Sequence, residues 1–287
     1  MKHMKVEISV ILPIFNEKDS IEETIKNIKN ALKSTKKSFE IIAVDDGSTD
    51  GSDKILKNLK IKYIRHEQNK GYGAALKTGI LAAKGKWIFI VDCDGTYPVE
   101  KITEFMKYTK KYDMIVGNRK KKNISLLRKP AKWFLNKLAN YLCGTKIPDL
   151  NSGMRLFKKD IAMRFFSLFP DGFSFTTTIT IACLTNGYSV HYIPIEYYKR
   201  RGKSSINPIK DFINFINLTI RMVLYFKPLN VFIPFSIVLF LIGFSKALRD
   251  FVIQNSFGSG SVMIMLTAVQ IAVLGMIADL ITKRTKL

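Results

Sequence analysis

"WIFIVDCDGTYP", residues 87–98, carries an apolar run into two aspartates, Asp92 and Asp94, set one residue apart. The run 87–91 reads as a buried strand, and the aspartates stand where such a strand emerges into solvent. Like charges that close repel, and a strand end has no structural need of them. A divalent cation with oxygen ligands, Mg2+ or Mn2+ bridging carboxylates to substrate phosphates, explains the pair best. A solvated acidic turn with a bend at Gly95 is the bland alternative, and Cys93 between the aspartates reads as a small buried side chain.

Working outward, the same grammar repeats. Residues 6–12 form an expected strand that ends at Pro13, and Ser20 with Glu23 offers a capping box for a helix running to about Leu32. Strands are expected over 39–44, 62–65 and 113–116, with helices over 72–83 and 99–109. Strands alternating with helices predict an α/β domain with a largely parallel sheet covered on both faces. Ligands then bind beyond the carboxyl ends of the strands. Those ends carry Pro13, Phe15 and Glu17, then Asp45 and Asp46, then Asp92 and Asp94, then Arg119. The first strand is followed by PIFNE rather than the glycine-rich turn of a dinucleotide site. Gly71 and Gly73 bracket Tyr72, and Gly71 is a candidate phosphate contact, with a tight turn as the alternative.

Beyond residue 205 the composition changes. Ile209, Phe212, Ile213, Ile216, Ile220 and Val223 recur at helical spacing opposite Lys210, Asp211, Asn214 and Asn217, as an amphipathic helix able to lie on a membrane would have them. Residues 231–248 and 262–281 are almost entirely apolar, and each has about the 20 residues that a bilayer core requires. Lys246 and Asp279 sit near the ends of these runs, where a side chain can reach the interface. The link between them carries little charge and the far end closes with Lys283, Arg284 and Lys286, so both termini are expected in the cytoplasm. The start has too short an apolar run before Pro13 for a signal peptide. The expected organisation is a catalytic domain over 1–205, a juxtamembrane helix over 206–228 and a two-helix hairpin over 229–287.

The 287 residues, 47% hydrophobic, suffice for a real core, and a formal charge of +23 suits nucleic acid, anionic lipid or a phosphorylated substrate. No nucleic-acid-binding module appears, and such a role leaves the hydrophobic C-terminus unexplained. Three scattered cysteines without a C-x-x-C suggest a reducing compartment rather than disulfides or zinc. His3, His66 and His191 do not cluster and read as structural or exposed.

ILPIFNE, VDDGSTDGS, NKGYGAAL, VDCDGTYP, VGNR and DLNSGMRLF, in this order over roughly residues 6–205, resemble the family 2 glycosyltransferases of the GT-A fold. The segments 172–188, 192–205 and 226–232 narrow the resemblance to the polyprenyl-phosphate sugar synthases, such as the dolichyl-phosphate mannose and glucose synthases. It implies a Rossmann-like nucleotide-diphospho-sugar transferase domain, with Pro13, Phe15, Glu17 and Asp45 or Asp46 lining the nucleotide. Asp92 and Asp94 would serve metal and donor diphosphate, with Thr96 a further metal ligand where the family pattern often has Gln.

Chemistry argues for the acceptor. A sugar hydroxyl usually needs a general base, whereas a phosphate monoester, with a second pKa near 6, is already largely dianionic at neutral pH. Where family members that glycosylate hydroxyls have an acidic residue, this chain has Thr176, Thr177 and Thr178. Two phosphate-bearing substrates repel, which predicts cations nearby, preferably guanidinium. Arg119, Arg128 and Arg200 rank first, with Lys132, Arg155 and Arg201 behind them. The runs 119–122, 128–132 and 199–203 also suit anionic lipid, at about 1 kcal/mol per residue near the surface.

The expected reaction is inverting, metal-dependent transfer of a hexose from GDP-mannose, UDP-glucose or UDP-N-acetylglucosamine to dolichyl or another polyprenyl phosphate. It would run on the cytoplasmic face of a cell or endoplasmic reticulum membrane, with oligomeric state, a homo-oligomer included, left open. A processive polysaccharide synthase is the alternative, but none of Gln68, Gln254 and Gln270 begins the Q-x-x-R-W signature. A catalytically silent membrane-bound nucleotide-sugar-binding protein is another, against which the intact Asp92, Asp94 and Arg119 argue.

Overall fold

A computed structural model describes residues 6–35, 37–119, 136–137, 139–141, 143–172, 174–198, 224–225 and 227–284. By internal contacts the chain forms two compact units, Met1–Phe215 and Ile216–Leu287.

The first unit is built on a seven-stranded sheet of β1 (Ile8–Ile14), β2 (Phe39–Asp45), β3 (Lys62–Arg65), β4 (Trp87–Ile90), β5 (Met114–Arg119), β6 (Arg155–Lys158) and β7 (Val190–Ile195), in the order β3-β2-β1-β4-β6-β5-β7. Every residue of β1 is buried, which is why its sequence is apolar at every position but Ser9 and does not alternate. Strands β2 and β4 flank β1 in parallel, so the strand order reverses direction there and a crevice opens beyond its carboxyl end.

One strand departs from the expected parallel sheet. Strand β6 inserts antiparallel between β4 and β5, pairing Ile90 with Arg155 and Val116 with Arg155. Its four residues, beginning with a buried arginine, carry no periodic signal of their own, and neighbours on both sides supply its pairing. Because β6 runs backwards, its first residue lies at the edge where β4 and β5 end. The loop before it is thereby delivered to the crevice.

Helices α1 (Ile21–Lys33), α2 (Ser52–Asn58), α3 (Tyr72–Ala82), α4 (Ile102–Lys107), α5 (Lys159–Arg164) and α6 (Phe175–Thr185) cover the sheet. Helix α1 buries Ile21, Ile25, Ile28 and Leu32 on one stripe, and Phe105 of α4 meets Phe89 edge-on at 5.7 Å. The Ser20 half of the expected capping box does not form. Ser20 is buried, and its hydroxyl donates to the carbonyls of Glu17 and Cys93 rather than accepting from a helix N–H. A hydroxyl at that point joins the loop after β1 to the loop after β4, a contact that sequence spacing does not encode.

The second unit contains α7 (Leu229–Gln254) and α8 (Ser259–Arg284), each 26 residues and so about 39 Å long. Both are long and apolar enough to cross a membrane, and large side chains such as Phe235, Val252 and Leu280 point outward at 57%, 83% and 65% exposure. Asn255 closes α7 in the left-handed conformation with φ of 53°. The charges near the ends are paired along their own helices, Lys246 with Asp250 at 2.7 Å and Asp279 with Lys283 at 2.8 Å. Of the amphipathic stretch expected over 206–228, all but Leu224, Tyr225, Lys227 and Pro228 falls outside the described residues.

Candidate active site

The loops at the carboxyl edge are bound to one another by the protein's own groups. Asn16 N–H donates to Ser48 Oγ (3.0 Å), Glu17 N–H to Ser52 Oγ (3.2 Å) and Lys18 N–H to Asp50 Oδ2 (3.1 Å), so the loop after β1 lies rung by rung on the loop after β2. Asn16 takes a left-handed φ of 57° while its Oδ1 accepts from Thr49 N–H at 2.8 Å. The lattice fixes the stretch that carries Pro13, Phe15 and Glu17, of which Pro13 and Glu17 are buried and Phe15 is half-buried.

Asp45 and Asp46 diverge. Asp45, fully buried, accepts from Ser48 N–H at 2.9 Å and the Tyr63 hydroxyl at 3.2 Å. Burial and then the Asp45 charge push the Tyr63 phenol up to about 12, which keeps it a donor. Asp46 turns to the loop after β3, where its Oδ1 meets His66 Nδ1 (2.6 Å) and Lys70 N–H (2.9 Å) and its Oδ2 accepts from Gly71 N–H (2.8 Å). His66 bridges on to Thr78 Oγ1 at 2.9 Å, the structural role its sequence position suggested.

Gly71 therefore donates its N–H, the group read as a candidate phosphate contact, to the Asp46 carboxylate. A Cβ at Gly71 would lie 2.5 Å from the Asp171 carbonyl oxygen, and one at Gly73 would lie 2.0 Å from that of Pro170. These glycines let the loop at 170–172 settle on the start of α3, where Ala74 N–H donates to Asp171 O at 3.0 Å.

At the end of β4, Asp92 accepts from the Tyr72 hydroxyl at 2.8 Å, while Asp94 Oδ1 accepts from Thr96 N–H (3.1 Å) and Thr96 Oγ1 (2.5 Å). Burial, then Asp92, holds the Tyr72 phenol well above its ordinary pKa. Thr96 orients Asp94 with its hydroxyl proton. Cys93 is buried and its thiol is pushed up to about 12, by desolvation first and also by the carboxylates of Glu17, Asp94 and Asp92. Three carboxylates thus act on one buried thiol. Among the described residues, however, no three His, Cys, Asp or Glu side chains are grouped so as to hold a metal ion.

The guanidinium expected to face phosphate is paired. Arg119 Nε donates to Asp149 Oδ2 at 2.7 Å and a terminal nitrogen to Asp149 Oδ1 at 2.9 Å, a bidentate fork, and its guanidinium carbon lies 5.2 Å from the Tyr197 ring centre. Burial alone would raise the Asp149 carboxyl, but the Arg119 fork outweighs it and holds the pKa below the usual value. A depressed folded-state pKa contributes stability above the unfolded value, about 4, and that stability is lost as pH falls through the folded one. Asp149→Asn should thus lower the thermal midpoint by several degrees at pH 7, corresponding to roughly 2–3 kcal/mol. Wild type and variant should converge in melts taken progressively below pH 4.

Arg155 is fully buried and serves the framework rather than a substrate. Its nitrogens donate to Ser152 O (2.5 and 3.0 Å), Thr176 O (2.8 Å) and Thr180 Oγ1 (2.9 Å), fastening the loop before β6 to α6. Thr177 Oγ1 donates to Asn151 Oδ1 at 2.6 Å, a second fastening. Arg128, Lys132 and Arg200 lie outside the described residues. Sequence reasoning passed over Asp149, Gly153, Tyr72 and Tyr97. The first two lay inside the quoted DLNSGMRLF motif without a role, and Tyr72 between the two glycines. Tyr97 hydroxyl accepts from Gly153 N–H at 2.7 Å, and a Cβ on Gly153 would sit 2.3 Å from Asp92 Oδ2.

Comparison with known proteins agrees with this geometry. The model for glycosyl transferase family 2 matches residues 9–166, and that for the GtrB C-terminal hairpin matches residues 227–283. An uncharacterized protein of Methanocaldococcus jannaschii is 33% identical across 72% of this chain and 89% of its own. A dolichyl-phosphate hexose transferase of Haloferax volcanii is 26% identical across 70% of this chain and 87% of its own. The undecaprenyl-phosphate 4-deoxy-4-formamido-L-arabinose transferase of Klebsiella pneumoniae is also 26% identical, across 88% of this chain and 78% of its own. Among solved structures, glucosyl-3-phosphoglycerate synthase of Mycobacterium tuberculosis, crystallised with Mn2+, UDP and glucosyl-3-phosphoglycerate, superposes with a TM-score of 0.59 at 17% identity, covering 76% of this chain and 78% of that one. That likeness identifies the fold as GT-A.

Proposed function

We propose that this chain, which belongs to glycosyl transferase family 2, moves one hexose from a nucleoside-diphosphate sugar to a polyprenyl phosphate at the cytoplasmic surface of a membrane, with inversion at the anomeric carbon. One observation carries the choice of acceptor: the first turn of α6 holds no acidic residue, and Thr176, Thr177 and Thr178 are all buried. A hydroxyl acceptor would lack its base there, whereas a phosphate dianion needs none. The names of the Haloferax and Klebsiella relatives and the two apolar helices support the same reading.

The donor nucleotide would lie in the crevice between the loops after β1 and β4, against Pro13, Phe15, Glu17 and Asp45, with Asp46 holding the neighbouring loop. The donor set at the end of β4 is hard carboxylate oxygen, which suits Mg2+ or Mn2+, and Asp92 and Asp94 would hold the ion while Thr96 keeps Asp94 turned. With two carboxylates from the protein, substrate oxygens and water would complete the shell. The ion would supply charge compensation for the departing nucleoside diphosphate.

The chain's own part is positioning. The acceptor phosphate needs an in-line approach and cations to offset its charge, not proton removal. Arg119 would act as an ion pair with Asp149, and Arg128, Lys132 and Arg200 would add the cationic groups nearer the lipid. The hairpin α7–α8 would anchor the chain in the bilayer, both termini cytoplasmic, and the stretch 206–228 would lie at the surface.

The test offers purified full-length protein, with Mn2+ or Mg2+, radiolabelled GDP-mannose, UDP-glucose and UDP-N-acetylglucosamine against short-chain dolichyl phosphate. Label should enter the organic phase with one donor, as the inverted anomer, and should cease to do so in excess chelator. Label passing only into a water-soluble phosphorylated acceptor would reject the lipid. Retention of configuration would reject the single displacement.

A further inference from the structure

We infer that Tyr72 is a positioning residue for the reaction: its hydroxyl fixes the rotamer of Asp92 and so the shape of the cation site at the end of β4. The inference deepens the proposed reading and rests on its assignment of Asp92.

Asp92 and Asp94 are like charges one residue apart, and Asp94 is only 7% exposed. Repulsion between the two carboxylates favours turning them apart, so the orientation of Asp92 depends on the groups that hold it. Its contacts include a hydrogen bond and a close packing partner. The Tyr72 hydroxyl donates to Asp92 Oδ1 at 2.8 Å. On its other flank the carboxylate packs against the bare Cα of Gly153, where a Cβ would come within 2.3 Å of Oδ2 and 2.8 Å of Oδ1. The phenol contact is directional, because a hydrogen bond fixes an angle that van der Waals contact does not.

Tyr72 is itself well anchored. It opens α3, and the residues around it are tied on both sides, with Lys70 N–H and Gly71 N–H on the Asp46 carboxylate and Ala74 N–H on Asp171 O. Asp46 is buttressed in turn by His66. The phenol therefore reaches Asp92 from a rigid base, as is typical of groups that orient metal-binding carboxylates from behind. Its place between Gly71 and Gly73 explains the segment GYG: the glycines admit the loop at 170–172, and the tyrosine between them faces the carboxylate.

The experiment measures Mn2+ affinity directly, by the electron paramagnetic resonance signal of free Mn2+ titrated with full-length protein in detergent, on wild type, Tyr72→Phe and Tyr72→Leu. Phe keeps the ring and removes only the hydroxyl. Mn2+ affinity should fall about tenfold in Tyr72→Phe, and Tyr72→Leu should lose little more, with the Tyr72→Phe thermal midpoint close to wild type. Turnover should fall by a similar factor while the KM for the nucleotide sugar stays within about threefold. Wild-type Mn2+ affinity in Tyr72→Phe overturns the inference, and so does a loss confined to Tyr72→Leu, which would assign the effect to ring packing. The titration needs neither donor nor lipid, so failure of polyprenyl phosphate as acceptor leaves its outcome readable by itself.

Discussion

Asp94→Asn is expected to fold as wild type does and to transfer sugar at least about a thousandfold more slowly, a loss of roughly 4 kcal/mol of transition-state stabilisation. The substitution isolates charge from shape. Asp94 Oδ1 accepts two hydrogen bonds from Thr96, and the amide oxygen of Asn accepts the same two, so the turn over 94–96 keeps its geometry. What vanishes is one of the two carboxylate charges proposed to hold the cation. With a neutral amide there, a divalent cation would be held weakly, and the leaving group would build up charge with less compensation. Steady-state transfer to dolichyl phosphate, alongside a thermal melt, reads both halves of the expectation. Normal turnover in a well-folded Asp94→Asn would remove the cation from the mechanism.

Gly153→Ala should cut transfer about a hundredfold although no hydrogen-bonding group is lost. The backbone at Gly153 is not left-handed, so alanine meets no conformational barrier; the obstacle is Asp92 Oδ2, 2.3 Å from the new methyl, with Asp92 Oδ1 at 2.8 Å. One of them must move. If the carboxylate moves, it leaves Tyr72; if the loop moves, it drags Asn151 from Thr177 and Asp149 from Arg119. Either displacement exceeds the tolerance of a site that works by position, where about 1 Å costs on the order of a hundredfold. Stability should fall by only about 1–3 kcal/mol, the ordinary cost of overpacking. Gly172→Ala is the control, since a Cβ there meets nothing within 4 Å and activity should persist. Wild-type turnover in Gly153→Ala would mean that the observed seat of Asp92 is not the working one.

Gly153 also marks the limit of sequence reading. Its motif stood out as part of a family resemblance, yet its function, clearance for a carboxylate 61 positions earlier in the chain, exists only once β6 has inserted between β4 and β5. Ser20 teaches the same lesson, for its spacing to Glu23 spells a helix cap, while its hydroxyl in fact joins two loops. Arg119 was legible as a cation at a strand end, but its partner Asp149 comes from another loop and changes what the arginine can do.

What the amino-acid order alone determined is whatever depends on period and run length. Strand–helix alternation follows from apolar periodicity, the carboxylates at the end of β4 from the abrupt polar step after 87–91, and two membrane-length helices from almost entirely apolar runs. These properties are local, because burial of a stripe or a run is dictated by neighbours a few residues away. Tertiary structure alone decided the antiparallel β6, the Arg119–Asp149 fork and the Tyr72–Asp92–Gly153 contact. Those depend on groups 20 to 71 residues apart meeting within a few ångströms, and the hydrogen bonds and close approaches that select them have no counterpart in sequence spacing.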